Sequence, residues 1–458
     1  MNATNVTRRG LLKGVSAAGV GAMALPAIVP SSVFGGGAPS KRIRMAQLGC
    51  GGRGSAVSGG FVRHKDVQYL AVCDPFKSRR ERLAARFNKK YGGGKTVKPY
   101  ADFREVLKRD DIDAVAICTQ DHWHVPLALA ASKAGKDMYV EKPLGVSMAW
   151  AKELRKSIKR YANIFQYGTQ QRSGRQFRFA CELVRNGYIG EIKTIDAWCP
   201  DIDSQVPNSG KKWGDGKGPE YGKVVKAEVP ADLNYDLWIG PAPMKPYTPD
   251  RCRNWGTYHV YDYALGFIAG WGAHPLDIAQ WGMDADNTCP IGYEGKGSLP
   301  TRGLYDTIDS WDVYCTYANG VKMRFMGHRV ARPVVMKYHK RWCNHGTTFH
   351  GTKGWVSVDR GGIFASDPKL LKVKIKSDEV NLITSRGQDR NFLDSVRSRK
   401  ATINPVESAI RSDTISHISD ILIRTGRPMK WDPKKEDFIG DAAASRMLTR
   451  TLRAPWKL

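Results

Sequence analysis

Acidic residues are few in this chain. Its 458 residues carry 44 Asp and Glu against 72 Lys and Arg, a formal charge of +28, and no acid precedes Asp66. Paired cysteines are missing too: the nine are odd in number and none form a C-x-x-C. That argues against a disulfide framework and against a zinc site. Cys50, Cys73 and Cys118 instead close apolar, strand-like runs, where cysteine serves as a small buried thiol. Long hydrophobic runs are confined to the front of the chain, and no basic run is long enough to form an interaction tail.

At the front, Thr7-Arg8-Arg9-Gly10-Leu11-Leu12-Lys13 leads into an Ala- and Gly-rich apolar run ending at Leu25. Paired arginines before a moderately apolar run read as a twin-arginine export signal, which predicts a periplasmic or otherwise exported product. Cleavage is expected near residues 31–38. A membrane anchor is the competing reading, but Gly19, Gly21 and Pro26 interrupt the run and weaken it. Without Arg8, Arg9 and Lys13 the charge is about +25. In an exported protein that balance points to anionic glycans or an anionic envelope surface rather than nucleic acid. Scattered solubilising lysines account for it equally well. Twin-arginine export carries folded proteins, so a dinucleotide would have to travel bound and be regenerated within each catalytic cycle.

With 41% hydrophobic residues and this length, two domains are expected. The organising stretch is Arg42-Ile43-Arg44-Met45-Ala46-Gln47-Leu48, an apolar run that opens into Gly49-Cys50-Gly51-Gly52-Arg53-Gly54. This is a G-x-G-x-x-G: Gly49 for the tight bend, Gly51 for close approach to a pyrophosphate, Gly54 for helix-on-strand packing. Phosphates would meet the free N–H groups and dipole of the helix that follows. A second apolar run, residues 67–73, ends at Asp74, placed to accept from a ribose diol and so to favour NAD. Lys77 and Arg79 lie close enough to blur the choice between NAD and NADP.

From there to about residue 163, strand-like and helical runs alternate: a helix over 78–91, a helical turn at 103–107, a strand at 113–118, a helix over 125–134, a strand at 136–140. Such alternation implies βαβ units and a doubly wound parallel sheet. The loops 49–54, 119–124 and 141–143 should then share the rim beyond the strands' carboxyl ends. The second half reads as strands at 192–198, 311–317, 321–326 and 355–358, with Asn319-Gly320 as a hairpin turn and helices over 390–397 and 407–424 that return to the first domain. Between them, residues 200–263 form a long segment rich in Gly, Pro and Trp. Trp213, Trp238 and Trp255 either stack on sugar rings there or anchor the segment to the body.

These residues resemble the glucose–fructose oxidoreductase and inositol dehydrogenase family, Gfo/Idh/MocA. The likeness rests on the glycine motif, Asp74-Pro75, Thr119-Gln120-Asp121-His122-Trp123-His124 and Glu141-Lys142-Pro143. It extends to Gln166-Tyr167-Gly168-Thr169-Gln170-Gln171-Arg172 and Gly272-Ala273-His274-Pro275-Leu276-Asp277. It implies an α/β protein with a signal and linker over 1–40, a Rossmann domain over 41–163, and a C-terminal α/β domain over 164–458. That second domain's open, mostly antiparallel sheet often mediates oligomers, so a homodimer or homotetramer is expected.

The resemblance also assigns roles. Lys142 stabilises an alkoxide or donates a proton to a carbonyl, with its direction fixed by an unusual, cis bond before Pro143. His274 shuttles protons; Asp277, one helical turn on by spacing, can face the same cleft, there to orient the imidazole, bind a substrate hydroxyl or satisfy a buried donor. Gly49, Gly51, Gly52, Arg53, Gly54, Asp74, Thr119, His122, Glu141 and Lys142 line a tightly held NAD, or NADP. Asp121 caps the helix that follows Thr119. Gln171, Arg172 and Trp271 face the substrate, and Arg172 would suit a carboxylated or sulfated sugar. No metal is expected.

One position departs from the pattern. Family dehydrogenases carry Asp four residues before the histidine, and here that residue is Gly270. Asp262 or Asp277 would have to substitute. Three functions follow: a sugar oxidoreductase, a redox-neutral NAD-dependent glycosidase working through a transient keto-sugar, or a non-catalytic glycan-binding protein. The presence of Lys142 and His274 argues against the last. In each case the partner is a small sugar or glycoside, with an anionic one among the candidates.

Overall fold

The computed structural model describes residues 42–202, 221–252 and 255–458, so the expected export signal and Trp213 lie outside the described residues. Among the described residues, six parallel strands build the first sheet. They are β1 (Ile43–Leu48), β2 (Val67–Cys73), β3 (Lys98–Tyr100), β4 (Ala114–Ile117), β5 (Asp137–Val140) and β6 (Phe165–Tyr167), in spatial order β3-β2-β1-β4-β5-β6. The neighbouring strands β4 and β5 are buried at every residue, as strands covered by helices on both faces must be. Leu48 pairs with Ile117 and Ile117 with Val140, so β1, β4 and β5 end side by side. Their three loops therefore share one rim, as expected. The first sheet also takes in β6 beside β5, so this domain runs past residue 163.

The second sheet follows the order β13-β12-β11-β7-β10-β9-β8-β14-β15. Its strands are β7 (Ile192–Cys199), β8 (Gly292–Ser298), β9 (Ser310–Thr316), β10 (Lys322–Gly327), β11 (Gly346–Gly351), β12 (Gly354–Asp359), β13 (Gly362–Ala365), β14 (Met429–Asp432) and β15 (Asp437–Phe438). Only the β7–β10 pair is parallel. Gly320, with φ +86°, makes the hairpin between β9 and β10. The sequence gives little sign of β8, whose Gly-Tyr-Glu-Gly-Lys-Gly-Ser lacks the β-branched residues that mark a strand; pairing with β9 along its whole length holds it. No helix among the described residues is long and apolar enough to cross a membrane.

Two late helices, Gln388–Ser398 and Val406–Thr425, return as expected. Phe392 is fully buried and packs edge-on against Phe61 (5.7 Å) and Tyr139 (6.3 Å) of the first domain. Arg390 pairs with Asp66 at 3.0 Å beside it. The described part of the long segment forms short helices at Tyr235–Ile239, Pro249–Cys252 and Gly256–His259 around its own core of Tyr221, Leu233, Trp238, Tyr263 and Tyr305. Trp238 is wholly buried in that core and Trp255 packs on Phe267 at 6.0 Å, so both anchor the segment. Its other end lies on the first domain: Asp232 accepts from Ser78 N–H and from the Ser78 hydroxyl at 2.7 and 2.6 Å, covering the start of the Lys77–Lys90 helix.

Phe392→Ala should strip the apolar plug between the returning helix and the first domain. A cost of about 3–5 kcal/mol is expected for emptying such a site. Urea unfolding of the full chain, followed by tryptophan fluorescence, should show the midpoint fall. An unchanged midpoint would mean that the helix docks without this ring.

Candidate active site

The glycine motif sits where β1 meets the helix Gly52–Phe61. Gly49 has φ +87°, and a Cβ there would lie 2.3 Å from the Cys118 carbonyl oxygen, so only glycine lets this loop touch the start of the 119–124 loop. A Cβ on Gly54 would lie 1.9 Å from the Gly49 carbonyl oxygen, which explains its place in the motif. Gly52 has nothing within 4 Å of that position, and Gly51 only Arg79 at 3.8 Å. The helix has no side-chain cap and no acid in its first turn, leaving its amides to an external anion. These features form a cradle that fits a dinucleotide's pyrophosphate.

Asp74 is buried at the end of β2, accepting from Cys50 N–H (2.7 Å) and Phe76 N–H (2.9 Å). Each carboxylate oxygen keeps a second lone pair for a ribose hydroxyl. Burial raises its pKa while Arg79 pulls it down. Arg79 stacks on Phe76 at 4.0 Å, at the same end of the cradle. Lys77 points elsewhere, toward Glu81. Of the two basic residues expected near the ribose, Arg79 is the one in place.

Glu141 and Lys142 follow β5. Glu141 is buried and accepts from Arg53 (2.6 Å), Gln170 (2.8 Å) and the Tyr139 hydroxyl (3.1 Å) through one oxygen. Burial alone would raise its pKa, but the Arg53 guanidinium holds it below the usual carboxylate range. The peptide bond between Lys142 and Pro143 is cis. The Lys142 ammonium donates to the Gly270 carbonyl oxygen at 2.5 Å, joining the first domain to the departure point in the second. Burial lowers its pKa, against the attraction of Glu141 and Asp121.

His274 opens the helix Ala273–Gly282 and is buried, its Nδ1 without a hydrogen-bond partner. Burial, reinforced by Lys142, Arg360 and Arg53, drives its pKa well below 6.5. The imidazole is therefore neutral across the physiological range, which is not the titrating shuttle the sequence suggests. Trp271 lies 5.7 Å from it, also against His345 (5.4 Å) and under the Arg360 guanidinium (4.9 Å). Tyr258 approaches Gly270 from the other side.

Several expected site residues belong elsewhere. Asp277 does not orient His274: it is wholly buried and accepts from Arg172 (2.7 and 3.0 Å), Thr169 (2.7 Å), Asn404 (3.1 Å) and Ser412 (3.2 Å). Arg172 is equally buried, forked between Asp277 and Asp286, and has no free edge for a substrate. Gln171 is buried too, with an unpartnered side-chain nitrogen. His122 turns away from the cradle, its Nε2 3.0 Å from the Ile239 carbonyl oxygen and its ring 5.1 Å from Tyr263. Its neighbour Trp123 donates to the carbonyls of Leu237 and Trp238, and a Cβ on Gly240 would fall 2.1 Å from that indole. Asp121 is the first helical residue rather than the cap; Gln120 holds the cap position without a side-chain bond. Thr119 stays half-buried on the rim. Asp262 lies beside Asp306, whose pKa it helps to raise.

Sequence reasoning missed Arg360, His345 and Tyr258. Arg360 stands in the turn between β12 and β13, where Asp359-Arg360-Gly361-Gly362 marks a tight turn without indicating its direction. The other two lie in segments without strong periodicity.

A dinucleotide cradle whose own rim lysine meets a histidine and a tryptophan from a second α/β domain defines an NAD-binding oxidoreductase. Residues 43–169 match the NAD-binding Rossmann fold of the Gfo/Idh/MocA oxidoreductases, and residues 210–458 match their C-terminal α/β domain. The chain belongs to that family. It is 35% identical over 146 residues to a glycosyl hydrolase family 109 protein of Solibacter usitatus, covering 30% of this chain and 33% of that one. It is 29% identical over 164 residues to the alpha-N-acetylgalactosaminidase of Shewanella oneidensis, 35% of this chain and 36% of that one. The matched stretch thus spans about a third of the length of these curated relatives. The WlbA dehydrogenase from Bordetella pertussis, solved with NADH and UDP-GlcNAcA, superposes with a TM-score of 0.60 at 14% identity, over 85% of this chain and 98% of that one.

The Gly270 departure is open to test. Gly270 ends a short helical stretch without positive φ, and a Cβ there would meet only Tyr258 at 3.9 Å, so glycine is not required for the backbone. Residues 270 to 274 run close to helical, placing an aspartate at 270 one turn from His274. In Gly270→Asp the added carboxylate should favour the imidazolium and raise the His274 pKa. NMR titration of the His274 ring should show it neutral well below pH 6.5 in the parent and titrating higher in the variant. An unmoved titration in a folded variant would place residue 270 out of reach.

Proposed function

We propose that the protein oxidises and reduces a carbon bearing a sugar hydroxyl, with Lys142 as the group that takes and returns the hydroxyl proton. The observation that carries this reading is the Lys142 ammonium, held at the rim between the cradle and the Trp271–His274 wall by one bond to the Gly270 carbonyl. When bound, the nicotinamide supplies or accepts hydride. Lys142 has two further N–H positions for a substrate oxygen. Its lowered pKa makes the neutral amine, the form that can accept a proton, more accessible than in an ordinary lysine. His274, neutral, offers a hydrogen bond without competing for that proton. The Gly49–Gly54 cradle and Asp74 would hold the dinucleotide between catalytic cycles, and the twin-arginine sequence fits export with it bound.

A second reading has its own support: the names of the curated relatives, and the missing carboxylate at residue 270. On this reading the sugar is oxidised transiently and the C–H beside the new carbonyl loses its proton. The aglycone then leaves, water adds, and the sugar is reduced again, with no net redox change. Mass spectrometry of products from a panel of glycosides, incubated with purified protein and no added cofactor, separates the two. Cleavage to free sugar supports the second reading, and a stable keto-sugar supports the first. Denaturing the same preparation should release NAD; release of no dinucleotide would overturn tight binding.

Lys142→Ala should keep the dinucleotide and lose hydride transfer by about a hundredfold or more, as expected when one stabiliser of a developing alkoxide is removed. Single-turnover reduction of the bound nicotinamide reads this directly. In the parent, the oxidation rate should rise with pH and level off below the ordinary lysine value of 10.5, because the neutral amine is the competent form. A variant within about threefold of the parent would exclude Lys142 as the proton acceptor.

A further inference from the structure

Arg360, exposed in the β12–β13 turn, has no carboxylate partner and no hydrogen bond among the described residues; its guanidinium lies over the face of Trp271, 4.9 Å away. This distinguishes it from the arginines around it. Arg53 is paired with Glu141, Arg341 with Asp359, and Arg172 with Asp277 and Asp286. Trp271 holds the planar guanidinium by cation–π stacking, which leaves its N–H edge free. The nearby carboxylates Glu141 and Asp359 already serve other arginines, and the surroundings carry unmet hydrogen-bonding capacity. His274 Nδ1 and His345 Nε2 are both buried without partners, on two rings packed against the same indole. Lys142 and Arg53 add positive charge, against Glu141, which already serves Arg53. Partial burial and the Arg53 cation lower the Arg360 pKa, with Glu141 offsetting part of that.

From this geometry we infer that Arg360, stacked on Trp271, binds a carboxylate carried by the substrate, so that the sugar turned over is a uronic acid or its glycoside. A guanidinium edge gives two parallel N–H···O bonds to a planar carboxylate, and Trp271 offers the sugar an apolar wall. The anion-binding role that the sequence suggests for Arg172 thus falls to a residue on the other side of the cleft. This inference rests on the proposed sugar chemistry for its setting, but the anion site can be measured without that chemistry.

Matched hexose and hexuronate pairs of gluco, galacto and manno configuration are titrated calorimetrically into the full-length protein with its dinucleotide bound, together with glucose 6-sulfate. At least one hexuronate should bind about tenfold or more tighter than its neutral partner, a factor typical of a charge-assisted pair. Arg360→Met should abolish that preference while leaving hexose binding and dinucleotide content unchanged. Arg360→Lys should restore only part of it, since an ammonium lacks the fork. Equal binding of every pair by the parent overturns the inference. So does a sulfate ester that outbinds all the hexuronates, or loss of dinucleotide in Arg360→Met, which would assign the arginine to the cofactor. Should hexuronates bind with Arg360-dependent preference yet never reduce the bound nicotinamide, the anion site stands and the proposed chemistry falls.

Discussion

A single buried guanidinium organises the region where the two domains meet. Arg172 gives both faces of its fork to Asp277 and Asp286, and Asp277 in turn collects Thr169, Asn404 and Ser412. Those residues come from the segment after β6, the loop before the Val406–Thr425 helix, and that helix itself. Burying two charges is costly unless every lone pair and N–H is satisfied, and removing one partner from such a set typically costs about 3–5 kcal/mol. The network therefore fixes how the His274 helix sits against the first domain. It also removes Asp277 from chemistry, because a carboxylate with five donors has no capacity left to orient an imidazole.

The electrostatics of the rim follow from that arrangement. With Asp277 turned away and glycine at 270, the charges that act most on His274 are cations: Lys142, Arg360 and Arg53 all lower its pKa. The cleft is left with a neutral imidazole and an excess of cations. Lys142 is the exception to simple repulsion, because the Gly270 carbonyl holds it in place and Glu141 and Asp121 offset part of its burial. Burial thus lowers the pKa of both the lysine and the histidine at this rim.

The first domain was readable in the sequence because its signals are local. The glycine motif, the acidic strand end at Asp74 and the strand-end Glu141-Lys142-Pro143 each fall within a few residues, and parallel topology then brings them to one rim. The second domain was less readable. Strand β8 is glycine-rich, without β-branched residues, and depends on pairing with β9, so it carries little β-propensity of its own. Site roles failed where they depended on side-chain direction. Asp277 sits at helical spacing from His274, yet its nearest donor is Arg172, which no spacing rule connects to it. His122 likewise follows the rim loop in sequence, but its ring enters the aromatic core of a segment from the second half of the chain. Arg360 was invisible because a charged residue in a turn is ordinarily solvated, and only the stack on Trp271 sets it apart.

The contact between Trp123 and Gly240 bears on how this scaffold could be diversified. The indole fills the space where a side chain at 240 would stand, and it takes hydrogen bonds to main-chain carbonyls rather than to replaceable side chains. Recombining the segment around Gly240 with a counterpart from another protein would therefore have to reproduce its backbone path, whatever residues it carried. The Thr119 loop and this segment would thus have to be exchanged together.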